Sequence, residues 1–316
     1  MKTLTLGNTG QQISCIGLGT MYFGSKINES DSFAMLDYYS ETGGTLLDSA
    51  NIYASWIHGF AGGESETRIG KWMKQKGNRE KMFITSKVGF PYGSIPRSLS
   101  RSVIISECEK SLKRLGTDII DLYFAHAFDE NTPTEETMEA FYHLSKSGKI
   151  KYAGASNYYG WQLSEANKVA QTTGWNGFCS LQQRHTCFEP SLRANFGTQI
   201  VLSPETMEFC KINNIQIMAY SPLLGGAYNR GFIPEPYQTE VNQQRLSLIK
   251  NLAQLFEVSP NAIILAWMLQ SSPPVIPLVT GSSTKQLQEN FQAINLTLTT
   301  TQIEQLNSGT DISLKY

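Results

Sequence analysis

Short apolar runs alternate with amphipathic, helix-like segments along this chain of 316 residues, and the alternation limits the fold more than any other feature. Such runs are typical of strands in a parallel sheet, because helices cover both faces of that sheet. Eight alternations predict a sheet that closes on itself, which is the (β/α)8 TIM barrel of the α/β class. The predicted strands end near Gly19, Asp48, Lys87, His126, Ser156, Gln182, Tyr220 and Thr280.

Further elements are expected outside the eight repeats. The stretch LTLGNTGQQIS predicts a β-hairpin around Asn8 to Gly10, ahead of the first barrel strand, and we expect extra helices at the C-terminal end. The helix-like segments are represented by SLSRSVIISECEKSLKRLG, which ends at Gly116. Four of its apolar residues, Ile104, Cys108, Leu112 and Leu115, fall on one helical face.

An open, doubly wound sheet is the competing fold for alternating strands and helices. It would normally show G-x-G-x-x-G directly after a strand, and a P-loop protein would show a Walker A sequence. Neither sequence is present, which favours the closed barrel. No linker or low-complexity segment divides the chain, so we expect one barrel domain over residues 1–316.

Charge and cysteine content indicate the kind of partner and the compartment. A net charge of -1 provides no long-range field for nucleic acid or an anionic membrane, so we expect a small-molecule partner and neither of those two. The five cysteines include no C-x-x-C pair, and the N-terminus has no apolar signal-peptide region. Both features predict a cytoplasmic protein with reduced thiols. The oligomeric state stays open.

Ionisable side chains lie where several predicted strands end. Asp48 ends the second strand, Lys87 the third and His126 the fourth, and Tyr53 follows in the loop after the second. In a barrel these ends share one rim, where active sites form. Structural alternatives exist for each residue: a turn cap, an aromatic lid, a lysine that extends to water, or a satisfied core histidine. A buried Lys87, however, needs a counter-charge, which Asp48 could supply.

Five segments, in order and over nearly the whole chain, resemble the signatures of the aldo-keto reductase family. They are DSANIY, GGESETRIG, ITSKVG, IDLYFAH and GKIKYAGASNY. The resemblance implies a barrel that binds a nicotinamide cofactor without a Rossmann domain and interconverts carbonyls and alcohols by hydride transfer. It also implies a catalytic tetrad, which falls on Asp48, Tyr53, Lys87 and His126.

The residue types of this tetrad suit carbonyl reduction. Negative charge grows on the carbonyl oxygen as hydride arrives, so a proton donor and stabilising dipoles are needed there. Tyr53 is the predicted general acid and base. We expect Lys87 to lower the pKa of Tyr53, and Asp48 to keep Lys87 charged. His126 would donate to the carbonyl oxygen and orient it.

The same resemblance assigns residues to the cofactor. Ser156, Asn157 and Gln182 would bind the carboxamide and Tyr220 would stack on the nicotinamide, although a helix N-cap explains the ASN stretch nearly as well. TGSSTKQLQEN would open a helix whose N–H groups bind the adenosine phosphate. The full predicted set is Gly19, Thr20, Met21, Asp48, Ser156, Asn157, Gln182, Tyr220, Ser221, Leu223, Gly225, Gly281, Ser282, Ser283, Gln286, Glu289 and Asn290.

Two segments depart from the family pattern. The last phosphate loop has Ser282 and Ser283 where many relatives have Arg or Lys, and Lys285 is the nearest cation. This departure weakens the preference for NADP(H) over NAD(H). Hydroxyls and helix N–H groups can still hold a phosphate, so we expect NADP(H), with NAD(H) as the alternative. The connection YASWIHGFAGGESE is longer than usual, and its Trp56 and His58 are expected to wall the substrate pocket.

The substrate itself is only broadly limited by the sequence. Polar groups at Gln183, Arg184 and His185 suit a sugar, a hydroxy-aldehyde or an acidic carbonyl, so the substrate stays open among aldehydes, ketones and sugars. Core packing explains one of the predicted pocket residues, Phe23, equally well. The predicted pocket beside Met21 consists of Tyr22, Phe23, Trp56 and His126.

Two other classes of function stay open at this point. One is a non-catalytic, cofactor-binding regulatory subunit, of the kind that associates with channels. The other is a barrel enzyme that uses Lys87 as the nucleophile in Schiff-base or isomerase chemistry. No metal site is expected, because the four histidines show no ligand spacing.

Overall fold

The computed structural model describes residues 1–309, and two short antiparallel strands, β1 (Thr3–Thr5) and β2 (Gln12–Ser14), open the chain. The predicted hairpin is therefore confirmed. Leu6 and Ile13 of this hairpin are fully buried, and they pack with Leu46 and Phe83 at the starts of two barrel strands. The hairpin thus fills the N-terminal end of the barrel.

Eight parallel strands follow and form a closed barrel, in which β10 pairs with β3. Every predicted strand end lies within two residues of the observed end, so the TIM barrel is confirmed. The strands are β3 (Gly17–Gly19), β4 (Leu46–Asp48), β5 (Phe83–Val88), β6 (Ile120–Ala125), β7 (Ile150–Ser156), β8 (Phe178–Arg184), β9 (Gln216–Tyr220) and β10 (Val275–Val279).

Helices surround the barrel, and the last of them extends beyond the eight repeats, as expected. The helices of residues 1–309 are α1 (Glu29–Glu41), α2 (Glu64–Lys76), α3 (Arg101–Leu115), α4 (Thr134–Lys146), α5 (Gly160–Thr172), α6 (Pro204–Ile212), α7 (Ala227–Arg230), α8 (Glu240–Leu255), α9 (Pro260–Leu269), α10 (Thr284–Phe291) and α11 (Thr300–Ser308). Within this range no single helix is long and apolar enough to cross a membrane. Only α8 and α9 together meet the length and hydropathy requirements, and a 99° bend separates them.

The predicted helix over residues 101–115 shows how the sequence pattern sets the packing. The four residues of its predicted apolar face, Ile104, Cys108, Leu112 and Leu115, are all buried against the barrel. Gly116 follows with a φ of 63°, a left-handed conformation that glycine adopts without strain, and it ends the helix.

Alternation along β5 divides the core into an inner and an outer layer. Side chains of a strand point to opposite faces in turn. Ile84 and Val88 belong to the large cluster between strands and helices, whereas Phe83 belongs to the small cluster inside the barrel. Thr85 and Lys87 share the inward face with Phe83, so this strand delivers Lys87 to the centre of the C-terminal rim.

Candidate active site

Lys87 is the centre of the polar cluster at the rim. Its side chain has no exposed surface, and its Nζ lies 2.8 Å from Asp48 Oδ2, 2.7 Å from the Ser49 carbonyl oxygen and 2.8 Å from the Tyr53 hydroxyl. An ammonium group has three N–H donors, and here each has an acceptor. Burial lowers the pKa of Lys87, while the adjacent Asp48 carboxylate opposes that shift.

Asp48 accepts hydrogen bonds at both carboxylate oxygens. Oδ1 accepts from Thr85 Oγ1 at 2.7 Å and from Gln182 Nε2 at 2.9 Å. Oδ2 accepts from Lys87 and, at 3.2 Å, from the Tyr53 hydroxyl. The parallel register places Asp48 opposite Thr85, so the two neighbouring strands fix these contacts. A buried carboxylate with four donors is held in one orientation.

Tyr53 lies in the loop between β4 and α2, and its side chain is partly exposed. The loop turns tightly, since Ala54 has a φ of 79°. Lys87 donates to the Tyr53 hydroxyl and also lies 4.7 Å from the ring centroid. These contacts bring the phenol into the cluster, as the sequence predicts.

The predicted direction of the Tyr53 pKa shift is wrong for the structure described. Burial raises the pKa of Tyr53 well above 10, and the negative charge of Asp48 raises it further. Both effects disfavour phenolate. The phenol is therefore protonated at neutral pH, which is the form that a proton donor requires.

His126 follows β6 directly and faces Tyr53 across the rim. Its backbone N–H donates to the Val88 carbonyl at 2.8 Å, and its ring centroid lies 6.3 Å from that of Tyr53. Burial lowers the pKa of His126 well below 6.5, and the positive charge of Lys87 lowers it further, so the imidazole is neutral at pH 7. Its buried Nδ1 has no hydrogen-bond partner among residues 1–309, and such an atom is a marker of function.

Asn157 links the rim to β9. It has a φ of 55°, its Nδ2 donates to the His126 carbonyl at 2.9 Å, and its Oδ1 accepts from the Tyr220 hydroxyl at 2.6 Å. The N-cap of α5 is Tyr159, so the interpretation of Ser156 and Asn157 as a helix cap is wrong. The side-chain amides of Asn157 and Gln182 are both bonded within the protein.

The other residues predicted to bind the cofactor lie around the same rim. Thr20 is fully buried, and its hydroxyl donates to the Asp48 carbonyl at 2.8 Å. These predicted cofactor-binding residues come from three regions of the chain. The regions are the end of β3 (Gly19, Thr20 and Met21), the segment after β9 (Ser221, Leu223 and Gly225), and the loop after β10 with α10 (Gly281, Ser282, Ser283, Gln286, Glu289 and Asn290).

The loop after β10 and the first turn of α10 contain hydroxyl and N–H groups of the kind that bind phosphate. Ser283 caps α10, whose first-turn N–H groups point away from the helix, and the side chain of Ser282 is exposed beside it. Gly225 and Gly226 have positive φ values, and an added Cβ at either would meet nothing within 4 Å. The predicted helix at TGSSTKQLQEN is confirmed, and this donor set fits a dinucleotide phosphate.

Aromatic side chains border the tetrad on the substrate side. Trp56 is 51% exposed and lies edge-on to Tyr53, with ring centroids 6.1 Å apart. Phe90, in the loop after β5, lies 4.4 Å from His126 in an edge-on arrangement. Sequence reasoning missed Phe90, although its place three residues after Lys87 at a strand end was a usable signal.

The remaining pocket predictions differ in outcome. Tyr22 is partly exposed at the rim, whereas Phe23 is fully buried in the outer core, so the structure favours the core-packing explanation for Phe23. Gln183 is fully buried and donates to the Tyr158 carbonyl, and His185 stacks against a tryptophan. The Arg184 guanidinium donates to a tyrosine hydroxyl. These contacts do not favour a sugar.

Over residues 1–309, no group of three or more His, Cys, Asp or Glu side chains has an arrangement that could hold a metal ion.

The sequence matches a known family and several curated relatives. The model of the Aldo/keto reductase family matches residues 15–310. The chain is 31% identical to "Uncharacterized oxidoreductase YrpG" of Bacillus subtilis, over 97% of this chain and 95% of the relative. It is 30% identical to "Aldo-keto reductase yakc", named with NADP(+), of Schizosaccharomyces pombe (94% and 87%). It is 28% identical to "Norsolorinic acid reductase stcV" of Emericella nidulans (94% and 78%).

Fold and rim together define a TIM barrel with an Asp48–Lys87–Tyr53 cluster beside His126 at its C-terminal end. The chain belongs to the aldo/keto reductase family and is an NAD(P)-dependent oxidoreductase. Membership of this family supports carbonyl reduction in general.

Proposed function

We propose that this enzyme interconverts planar aromatic aldehydes or ketones and their alcohols, with Tyr53 as the general acid and base and NADP(H) as the preferred cofactor. One observation carries the proposal. The Tyr53 hydroxyl lies 2.8 Å from a fully buried ammonium, which is itself fixed by a carboxylate 2.8 Å away. A phenol in this position can donate its proton to a carbonyl oxygen of the substrate, because the adjacent ammonium stabilises the phenolate that remains.

The roles of the four residues follow from their contacts. The bound nicotinamide supplies or accepts the hydride. Tyr53 donates its proton to the carbonyl oxygen, and the phenolate that remains is stabilised by Lys87. The bond from Tyr53 to Asp48 is long at 3.2 Å, so the proton can be redirected to substrate at little cost. Neutral His126 donates an N–H to the same oxygen and orients it.

The Schiff-base alternative for Lys87 is disfavoured by the same geometry. A Schiff-base nucleophile must be neutral and must reach the substrate carbon. Lys87 has no exposed surface, and its three donors are bound to Asp48, Ser49 and Tyr53. To stabilise the Tyr53 phenolate, Lys87 can stay where it is, whereas nucleophilic attack would break all three hydrogen bonds.

Aromatic substrates are favoured by the walls of the pocket. Trp56 and Phe90 lie edge-on to the two groups that would contact the carbonyl oxygen, Tyr53 and His126. Two aromatic side chains that flank a reactive centre favour a flat, apolar ring between or beside them.

NADP(H) is favoured over NAD(H) by the phosphate side of the rim. Lys285 is exposed in the first turn of α10, next to the Ser282 and Ser283 hydroxyls and the helix N-terminus. Together these groups suit an additional phosphate. Titration of the protein with NADPH and NADH, followed by intrinsic fluorescence, tests this preference, and tighter binding of NADH would contradict it.

Replacement of Tyr53 by Phe tests the catalytic assignment. We expect kcat for an aromatic aldehyde to fall about 100-fold or more, because the proton donor is lost. The affinity for NADPH should change little. Tyr142→Phe, on α4 and outside the rim, is the matched control and should keep wild-type kcat. Full activity of the Tyr53 variant, or no turnover of any carbonyl by the wild type, would overturn the proposal.

Replacement of Trp56 by Ala tests the substrate class. We expect KM for an aromatic aldehyde to rise roughly 3- to 10-fold, since an aromatic pair contributes about 0.5–1.5 kcal/mol beyond area burial. KM for a short aliphatic aldehyde should change less. Trp161→Ala removes another exposed tryptophan, on α5, and serves as control. Equal effects of Trp56→Ala on both substrates would argue against an aromatic preference.

A further inference from the structure

We propose that Thr85 is a positioning residue of the tetrad, which holds Asp48 in its working orientation while the cofactor is bound. The inference rests on the proposed function, and it concerns a side chain that neither touches substrate nor belongs to the tetrad.

The contact comes from a single strand. Thr85 and Lys87 lie two residues apart on the inward face of β5, and both bind the same carboxylate. The Thr85 hydroxyl donates to Asp48 Oδ1 at 2.7 Å, and Lys87 donates to Oδ2 at 2.8 Å. Each oxygen of Asp48 thus has a donor from the same rigid backbone, so the carboxylate plane cannot rotate without breaking a charge-assisted bond.

Oδ1 has a second donor of a different kind. Gln182, on the opposite side of the barrel in β8, donates its amide to Oδ1 at 2.9 Å. Gln182 is also predicted to bind the nicotinamide carboxamide. An amide that turns to the cofactor leaves Oδ1, and Thr85 then becomes the one donor of the two that still holds this oxygen.

This arrangement predicts that the Thr85 hydroxyl contributes to cofactor binding. Thr85 has no exposed surface, so a valine in its place would keep the shape and remove only the hydrogen bond. In such a variant, Gln182 could not leave Asp48 without exposing an unpartnered, buried carboxylate oxygen. Cofactor binding would then be weakened, and Asp48 would hold Lys87 less firmly during turnover.

Three variants test the inference. Thr85→Val should lower kcat about tenfold with KM for the aldehyde unchanged, and should weaken NADPH binding about tenfold in a fluorescence titration, as expected for loss of one bond to a charged group. Thr85→Ser keeps the hydroxyl and should restore both values to near wild type. Thr137→Val removes a buried hydroxyl that donates to the Leu99 carbonyl, away from the rim, and should change neither.

The outcomes separate this inference from the proposed function. Wild-type kcat and NADPH affinity in Thr85→Val would overturn it, as would a Thr85→Ser variant that is as impaired as Thr85→Val. If Thr85→Val does not fold, Thr85→Ala provides the same comparison against Thr85→Ser. If the wild type turns over no carbonyl, the proposed function fails. The NADPH affinities of the wild type and Thr85→Val still test the role of the Thr85 hydroxyl, because this measurement needs no turnover.

Discussion

The two ends of the barrel interior are built from the same strands and face the same axis, yet they differ in almost every physical respect. On β5, Phe83 points inward at the N-terminal end and Lys87 points inward at the C-terminal end, four residues away. Phe83 lies in an apolar cluster, whereas Lys87 lies in a network of hydrogen bonds.

The N-terminal end consists of side chains without charge. Its stability comes from apolar surface removed from water and from close packing. Leu6 and Ile13 of the hairpin cover the cluster from below. The inner cluster consists of Leu6, Ile13, Leu46, Phe83, Leu122, Phe124, Cys179, Met218, Ile276 and Leu278.

The C-terminal end buries charge instead, and each charge has a partner. Strand geometry thus fixes the direction of each side chain. The residue type at the last inward position decides whether that position belongs to an apolar core or to a polar site. Variants at the two ends of β5 therefore should separate stability from activity.

Lys87→Met should have the largest effect, because it affects both properties. Removing one partner of a buried ion pair leaves Asp48 uncompensated, which costs about 3–5 kcal/mol of unfolding free energy. Turnover should also be lost. The double variant Lys87→Met with Asp48→Asn should recover most of the stability in urea unfolding but none of the activity. An unchanged stability of the single variant would break the contrast between the two ends.

Phe83→Ala should lower the free energy of unfolding by a similar amount, about 3–5 kcal/mol, through loss of apolar burial and a residual cavity. Because the tetrad lies at the other end of the barrel, kcat measured well below the melting temperature should stay near wild type. Urea unfolding and steady-state kinetics on the same sample check both points. A large loss of kcat in the folded variant would show that the ends are coupled.

The dependence of stability on pH gives the smallest expected difference between the two ends of the barrel. Unfolded histidine takes up a proton near pH 6.5, whereas His126 does so only at lower pH, because burial and Lys87 lower its pKa. The unfolded state thus binds more protons in this interval. The free energy of unfolding should fall as pH decreases below about 6.5, by at most about 1.4 kcal/mol per pH unit from this residue.

Urea unfolding between about pH 7 and pH 5 measures this effect by difference. His126→Gln should lose less stability than the wild type over the interval, while Phe83→Ala should follow the wild-type slope. Burial also lowers the pKa of His185, to about 4, but this contribution is the same in all three proteins and cancels. Identical slopes for wild type and His126→Gln would contradict the shift.

Much of this site was predictable because strand ends and side-chain alternation are local properties of the sequence. Apolar runs that end in Asp48, Lys87 and His126 place three ionisable groups on one rim of a barrel, whatever the reaction. The helix that Ser283 caps was predictable for the same reason, since caps depend on a few neighbouring residues.

Other features depend on distant parts of the chain, and sequence patterns do not contain them. Phe90 contacts His126 because of the path of the loop after β5. Phe23 lies in the core because of the path of the segment after β3. The bond from Gln182 to Asp48 joins residues 134 positions apart. The raised pKa of Tyr53 reflects burial of the phenol, which the identity of its neighbours alone does not give.

The hairpin at the N-terminal end also affects which end of the barrel interior is closed. Leu6 and Ile13 pack against the inner cluster and close the N-terminal end of the barrel interior with apolar side chains. The hairpin therefore adds apolar burial at the end of the barrel opposite the tetrad, and it leaves the polar rim free of that packing.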